Sequence, residues 1–228
     1  MDPEPTIDQL YHLILLTSAT SKDPHPHHHR ISRTRILGTY ISLHTAQAAA
    51  HSCLFDAGYA RDFFTRYETD ASPEPSQKSD GQGQGQGLAV FAQAADGTTF
   101  RVYVQTTSNS LPQLQQHSAW EVLGDGRVPV YLYYVVQSTV TGDNWGVNVL
   151  ALFLTYQAAR EYAEWVLLSG KDRIMKESYV DYVLAVPGER ASEFEGDGDV
   201  VVHATGLQGE EFWSNGNGGG GGFSKCTT

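Results

Sequence analysis

Two glycine turns, 112 residues apart, constrain this chain more than any other feature. Asp96-Gly97 separates LAVFAQAA from TTFRVYVQ, and Gln208-Gly209 separates VVVHATGL from EEFW. In each, glycine supplies the positive φ that a tight hairpin loop needs. Phe100, Val102 and Val104 then point to one face, Arg101 and Tyr103 to the other. That alternation predicts antiparallel pairing with one buried and one wet face.

The same offset of 112 pairs Gly58 with Gly170, Tyr67 with Tyr179, Ala92 with Ala204 and Phe100 with Phe212. Thr45-x-Gln47-Ala48-Ala49 matches Thr155-x-Gln157-Ala158-Ala159 at an offset of 110, and YHLILLTSAT parallels LYYVVQSTVT. The common order of elements predicts a duplication, each copy reading strand, strand, helix, strand, strand. Residues 11–18 and 36–43 are β-rich runs expected to pair as a hairpin. Thr45 and Thr155 stand where a helix N-cap is wanted, and Gly58 and Gly170 where a left-handed C-terminal turn would close each helix. In the second helix Ala159, Ala163, Val166 and Leu167 form one apolar stripe that must face a sheet. Tyr162 and Trp165 are expected in the core beside it.

The expected fold is α+β, with tandem duplicated ββαββ modules whose antiparallel sheets are each packed by one helix and joined about a pseudo-twofold axis. Residues 9–105 form the first module, 106–128 a linker and 129–213 the second module. The stretch 71–87, ASPEPSQKSDGQGQGQG, and the tail 214–228, SNGNGGGGGFSKCTT, are too polar and glycine-rich to order.

ILGTYISLHTAQAA, followed by ARDFFTRYE and a closing AADGTTFRVYV, resembles a family of filamentous-fungal proteins that carry this strand-helix-hairpin module. The resemblance spans most of 9–105 and, more loosely, 129–213. That family has no established activity, so the resemblance implies a fold and no catalytic residue. The element order is also similar to that of β-grasp domains, an analogy that licenses no function.

The 228 residues are 40% hydrophobic, enough for a packed core, and carry a formal charge of −11. Such a charge repels phosphate backbones and anionic lipid surfaces, which argues against nucleic acid and membrane as partners. Cys53 and Cys226 form no disulfide or metal framework and read as free thiols. Cys226, third from the end, lies one place too late for a prenylation box. The N-terminus MDPEPTIDQL lacks the basic start and apolar run of a secretory signal, and no window approaches the roughly 18 apolar residues of a membrane span. The expected location is cytoplasmic or nuclear.

Candidate chemistry is sparse. His25, His27, His28 and His29, with Asp23, offer imidazole and carboxylate donors for Zn, Ni or Cu, but a proline-interrupted loop fixes no ligand spacing, which makes adventitious binding the expectation. His203, His12 and His44 are expected at exposed sheet positions or strand and helix ends. Glu193 and Glu195 lie in a polar loop and read as solvated charge. GQGQGQG has the wrong spacing for a dinucleotide loop, SGKDR lacks the glycine and hydroxyl residue of a phosphate loop, and GxSxG, HExxH and paired CxxC are missing.

These observations point to a non-enzymatic intracellular interaction or small-ligand-binding protein, needing no cofactor, whose partner is an unidentified protein or small molecule. One alternative is a small-molecule enzyme with its site in the groove between modules, where Tyr133, Tyr134 and Trp145 are the aromatics placed to line it. A further alternative is a self-assembling structural protein, because hairpins leave free edges for a like partner in a homo-oligomer.

Overall fold

Alternating apolar residues and glycine turns build two five-stranded antiparallel sheets, each with one principal helix. The computed structural model describes residues 6–19, 31–69, 87–115, 124–141, 144–184 and 200–219. The chain divides into two compact units, Met1–Pro129 and Val130–Thr228. The first contains β1 (Gln9–Ala19), β2 (Ile31–Tyr40), α1 (Leu43–Asp56), β3 (Phe64–Thr69), β4 (Gly87–Ala94), β5 (Thr99–Ser108) and the short α2 (Pro112–Gln115), with sheet order β2-β1-β5-β4-β3. The second contains β6 (Leu132–Thr141), β7 (Asn144–Phe153), α3 (Tyr156–Trp165), β8 (Asp181–Leu184), β9 (Val200–Thr205) and β10 (Glu211–Gly219), with order β7-β6-β10-β9-β8.

Each unit therefore has a strand more than the expected ββαββ. The additional strands, β3 and β8, are short and follow a 3-10 turn at Arg61–Phe63 and Lys176–Ser178 respectively. They pair with β4 and β9. This ββαβββ order also departs from the β-grasp analogy.

Register agrees between the units residue for residue along the central pair. His12 faces Gln105 and Ile14 faces Tyr103, while Tyr134 faces Asn217 and Val136 faces Asn215. Both first hairpins carry an irregularity at the same step, Leu13/Ile14 against β2 and Val135/Val136 against β7. His12 thus corresponds to Tyr134, one place from where the parallel of YHLILLTSAT with LYYVVQSTVT sets it. A one-residue slip exchanges the two faces of a strand, so the difference matters.

The helices obey the same rule at a different offset. Ala46, Ala50 and Leu54 of α1 are buried against the sheet, as are Ala159 and Ala163 of α3 and Leu167 just beyond it. Small alanines let each helix approach its strands closely. The match of Gln47-Ala48-Ala49 to Gln157-Ala158-Ala159 is three residues, nearly one turn, out of step with these buried positions. Accordingly Ser42, not Thr45, occupies the N-cap of α1, and Thr45 Oγ1 donates to the Ser42 carbonyl at 2.9 Å. Thr155 does cap α3, accepting from the Ala158 amide at 3.4 Å. Gly58 takes the left-handed φ of 93° after α1. Gly170 does not; the left-handed residue after α3 is Arg173, at φ 57° in the turn where the Ser169 and Ile174 backbones bond each other.

The two hairpins are as the sequence indicates. Gly97 and Gly209 have φ of 87° and 83°, and the Ala94 amide bonds the Thr98 carbonyl as the Gly206 amide bonds that of Glu210. Phe100, Val102 and Val104 all enter the core. The opposite face is not wet along β1: Leu10, His12, Ile14 and Leu16 are at most 2% exposed. Gln105 on β5 is buried as well.

The segments read as unstructured also differ. Residues 214–219 continue β10 and pair with β6, because strand pairing satisfies the backbone amides even of glycine. Within 106–128, Thr106–Ser108 belong to β5, and the Val128 amide donates to the Thr39 carbonyl at 2.8 Å. Most of 71–87 and the residues after 219 lie outside the described residues, as does the histidine loop around His25, His27, His28 and His29.

Candidate functional site

The buried stripe of α3 leaves its other side free. At roughly 100° per residue, Trp165 lies well off the stripe centred on Ala159, Ala163 and Val166. Trp165 is 64% exposed, Tyr156 44% and Tyr162 42%, a correction to the expectation that Tyr162 and Trp165 fill the core. They adjoin further aromatics at the β6–β7 end of the sheet. Tyr162 packs on Phe153 with ring centroids 5.4 Å apart, Tyr156 meets Tyr133 edge-on at 6.1 Å, and Tyr133 meets Tyr131 at 5.1 Å. Tyr133 and Phe153 are cross-strand partners. The result is an aromatic strip from Tyr131 to Tyr162, with Trp165 one helical turn beyond.

The fold does not demand this strip. At the positions 113 residues earlier, α1 has Leu43 for Tyr156, Ala49 for Tyr162 and Ser52 for Trp165. There Ser52 Oγ donates to Asp56 at 2.6 Å, and the rings of the first unit gather instead at the last turn of α1, where exposed Phe55 stacks on Tyr67 at 5.2 Å.

A second constellation lies inside the first unit. His12 is fully buried, with Nδ1 2.9 Å from Thr39 Oγ1 and Nε2 2.7 Å from Thr107 Oγ1. A neutral imidazole donates from one nitrogen and accepts at the other, so one hydroxyl receives a proton and the other gives one. Burial lowers the His12 pKa to about 3, which keeps the ring neutral. The three side chains pin β2, β1 and β5 together. This is not the exposed strand end that the sequence indicates. Thr39 and Thr107 are not marked in the sequence, since a hydroxyl within hydrogen-bond reach across strands leaves no local signature.

Other candidates do not converge. Tyr133 packs toward α3 and Tyr134 is buried on the opposite sheet face, so no single cavity takes both. His203 is half-buried on β9, and His44 is exposed at the start of α1. Glu193 and Glu195 lie outside the described residues, as does the Trp145 side chain. Cys53 is buried on the inner face of α1, and desolvation, with a smaller contribution from Asp56, pushes its thiol pKa up to about 12. Among the described residues no group of three or more His, Cys, Asp or Glu could hold a metal ion, and no helix is long and apolar enough to cross a membrane.

Comparison with protein families, curated proteins and solved structures finds no match to this chain.

Proposed function

We propose that this chain is a non-enzymatic binding protein built from two copies of one duplicated unit, whose second copy has acquired an aromatic contact surface. The strip of exposed Tyr131, Tyr156 and Tyr162 joined through half-buried Tyr133 and Phe153, with exposed Trp165 beside it, carries the proposal. Exposed Tyr and Trp present large, rigid, amphipathic area at little conformational-entropy cost, and such residues dominate the energetics of protein contacts. Tyr133 and Phe153 correspond to Tyr11 and Tyr40 of the first unit, but the positions equivalent to Tyr156, Tyr162 and Trp165 are Leu43, Ala49 and Ser52, so packing alone does not explain the three rings on α3. Support for duplication comes from the shared strand order, the shared register and the matching hairpin irregularities.

The test uses the full chain, immobilised, beside a Tyr162→Ser/Trp165→Ser variant. Loss of the Tyr162–Phe153 ring pair should cost about 1 kcal/mol, so capture is compared well below the melting temperature of either protein. Partners captured by the native surface should be lost from the variant while both proteins remain folded. Equal capture by the two proteins removes the strip as the contact surface.

A further inference from the structure

The outer side of α3 differs from that of α1 in charge as well as in rings. At the spacing of 113 residues that sets Trp165 against Ser52, Glu161 stands against Ala48 and Glu164 against His51. Four residues apart on a helix, Glu161 and Trp165 are neighbours on one exposed face. Glu164 has its own cation, Arg160, at 3.3 Å. Glu161 has not: its carboxylate accepts from the neutral amide of Gln157 at 2.7 Å and joins no ion pair among the described residues. The rings are likewise without a cation of their own. Elsewhere the chain places Arg61 over Tyr67 at 5.1 Å and Lys176 over Tyr182 at 5.5 Å, yet among the described residues no Lys or Arg lies over a ring of the strip.

We infer that the strip receives a lysine- and arginine-rich segment of a partner protein, its cations seated on the faces of Tyr156, Tyr162 and Trp165 and drawn by the Glu161 carboxylate. This rests on the contact surface proposed above and names what that surface takes. A cationic occupant fits on three counts. An aromatic face carries negative charge density and attracts an ammonium or guanidinium group, Trp most strongly. Glu161 adds a full negative charge on the same face. The chain as a whole, at −11, draws a basic partner from a distance and repels an acidic one, a second copy of itself included. Length selects a segment over a single small cation: from Tyr156 to Trp165 the helix rises about 13 Å, which an extended chain covers with about four residues.

Fluorescence anisotropy of the full chain with short labelled peptides, one rich in Lys and Arg, one in Glu and one in Gln, tests this. The basic peptide should bind, and the other two should bind at least about tenfold more weakly. Trp165→Leu keeps an apolar side chain at this 64% exposed position and removes the ring face, so it should weaken the basic peptide about two- to fivefold. Glu161→Gln should weaken it about twofold. Asp62→Asn removes the same charge from an exposed position of the first unit and should leave the affinity unchanged. Circular dichroism confirms that each variant is folded. Basic-peptide binding that Trp165→Leu leaves unchanged overturns the inference, because net charge alone then draws the peptide, and so does a Glu161→Gln loss no larger than that of Asp62→Asn. A wild type that binds no basic peptide overturns it as well. Equal binding of all three peptides, weakened by Trp165→Leu, overturns the cationic occupant and leaves the contact surface standing. Failure of that surface reads differently, as equal capture of partners by the native chain and Tyr162→Ser/Trp165→Ser.

Discussion

The phenolic hydroxyl of Tyr182 donates to the main-chain carbonyl of Glu164 at 3.0 Å, tying β8 to α3. Tyr67 makes the same bond to the His51 carbonyl at 3.2 Å, tying β3 to α1. Around each tyrosine the setting recurs. Arg61 lies over the Tyr67 ring at 5.1 Å and Lys176 over Tyr182 at 5.5 Å. Phe64 stands between Tyr67 and Phe100 as Tyr179 stands between Tyr182 and Phe212. The shared pattern is cation, two residues, aromatic, two residues, tyrosine: RDFFTRY and KESYVDY. Tyr67→Phe and Tyr182→Phe keep the ring and remove the bond, so each should lower stability by about 1 kcal/mol. Urea unfolding checks this; a silent Tyr182→Phe would show that the short β8 needs no such tie.

Glycine substitutions should separate the two helix ends. Gly58 has φ 93° with open space around it, so Gly58→Ala forces an L-residue into left-handed backbone and should cost about 1–2 kcal/mol. Gly170 has no positive φ and no neighbour within 4 Å of an added Cβ, so Gly170→Ala should change stability by less than about 0.5 kcal/mol. Thermal melts of the two variants provide the comparison.

Those two positions show how far the sequence could be read. Hairpins at Gly97 and Gly209 were legible because positive φ is a local demand on one residue, and the alternation after Gly97 follows from the pleat. The helix alignment was not, because alanine is common and a match of Gln-Ala-Ala survives a shift of one turn; only burial reveals which alanines face the sheet. Tyr179 aligned with Tyr67 by count, yet bonding and register make Tyr182 its counterpart. β3 and β8 are too short and too mixed in polarity to show a period. Trp165 is ambiguous by type, since size and apolarity suit a core and a contact surface alike. The setting of His12 is not written locally, because its partners lie 27 and 95 residues away.

His12 gives stability a pH dependence of known sign. Its folded pKa, about 3, lies below the ordinary histidine value of 6.5, so between these values the unfolded chain binds a proton that the native state excludes. The contribution of His12 to stability is therefore fully present above pH 6.5 and declines as pH falls toward 3. The loss from pH 7 to pH 5 should be about 2 kcal/mol from this residue. His12→Ala should cost about 3 kcal/mol at pH 7, through two lost hydrogen bonds and a cavity. Denaturation measured at both pH values checks the sign: the variant should lose less on acidification than wild type, and equal losses would mean that His12 is protonated in the native state.

Cys53 should resist alkylation. With its thiol pKa near 12, the nucleophilic thiolate is almost absent at neutral pH, and burial blocks access besides. Peptide mass spectrometry after iodoacetamide should find Cys53 unmodified in native protein and labelled in denaturant. Rapid native labelling would mean that α1 lifts from its sheet.

The connection from β1 to β2 holds eleven residues, 20–30, where that from β6 to β7 holds two, 142 and 143, yet β1 meets β5 and β6 meets β10 in the same step. Chain length there is uncoupled from the ladder. For protein engineering this makes the β1–β2 connection a splice point. Closure entropy grows by only about 0.6 kcal/mol for each doubling of a flexible loop, so an affinity tag or fluorescent reporter inserted between Ala19 and Ile31 should leave both flanking strands in register and the termini free for other fusions.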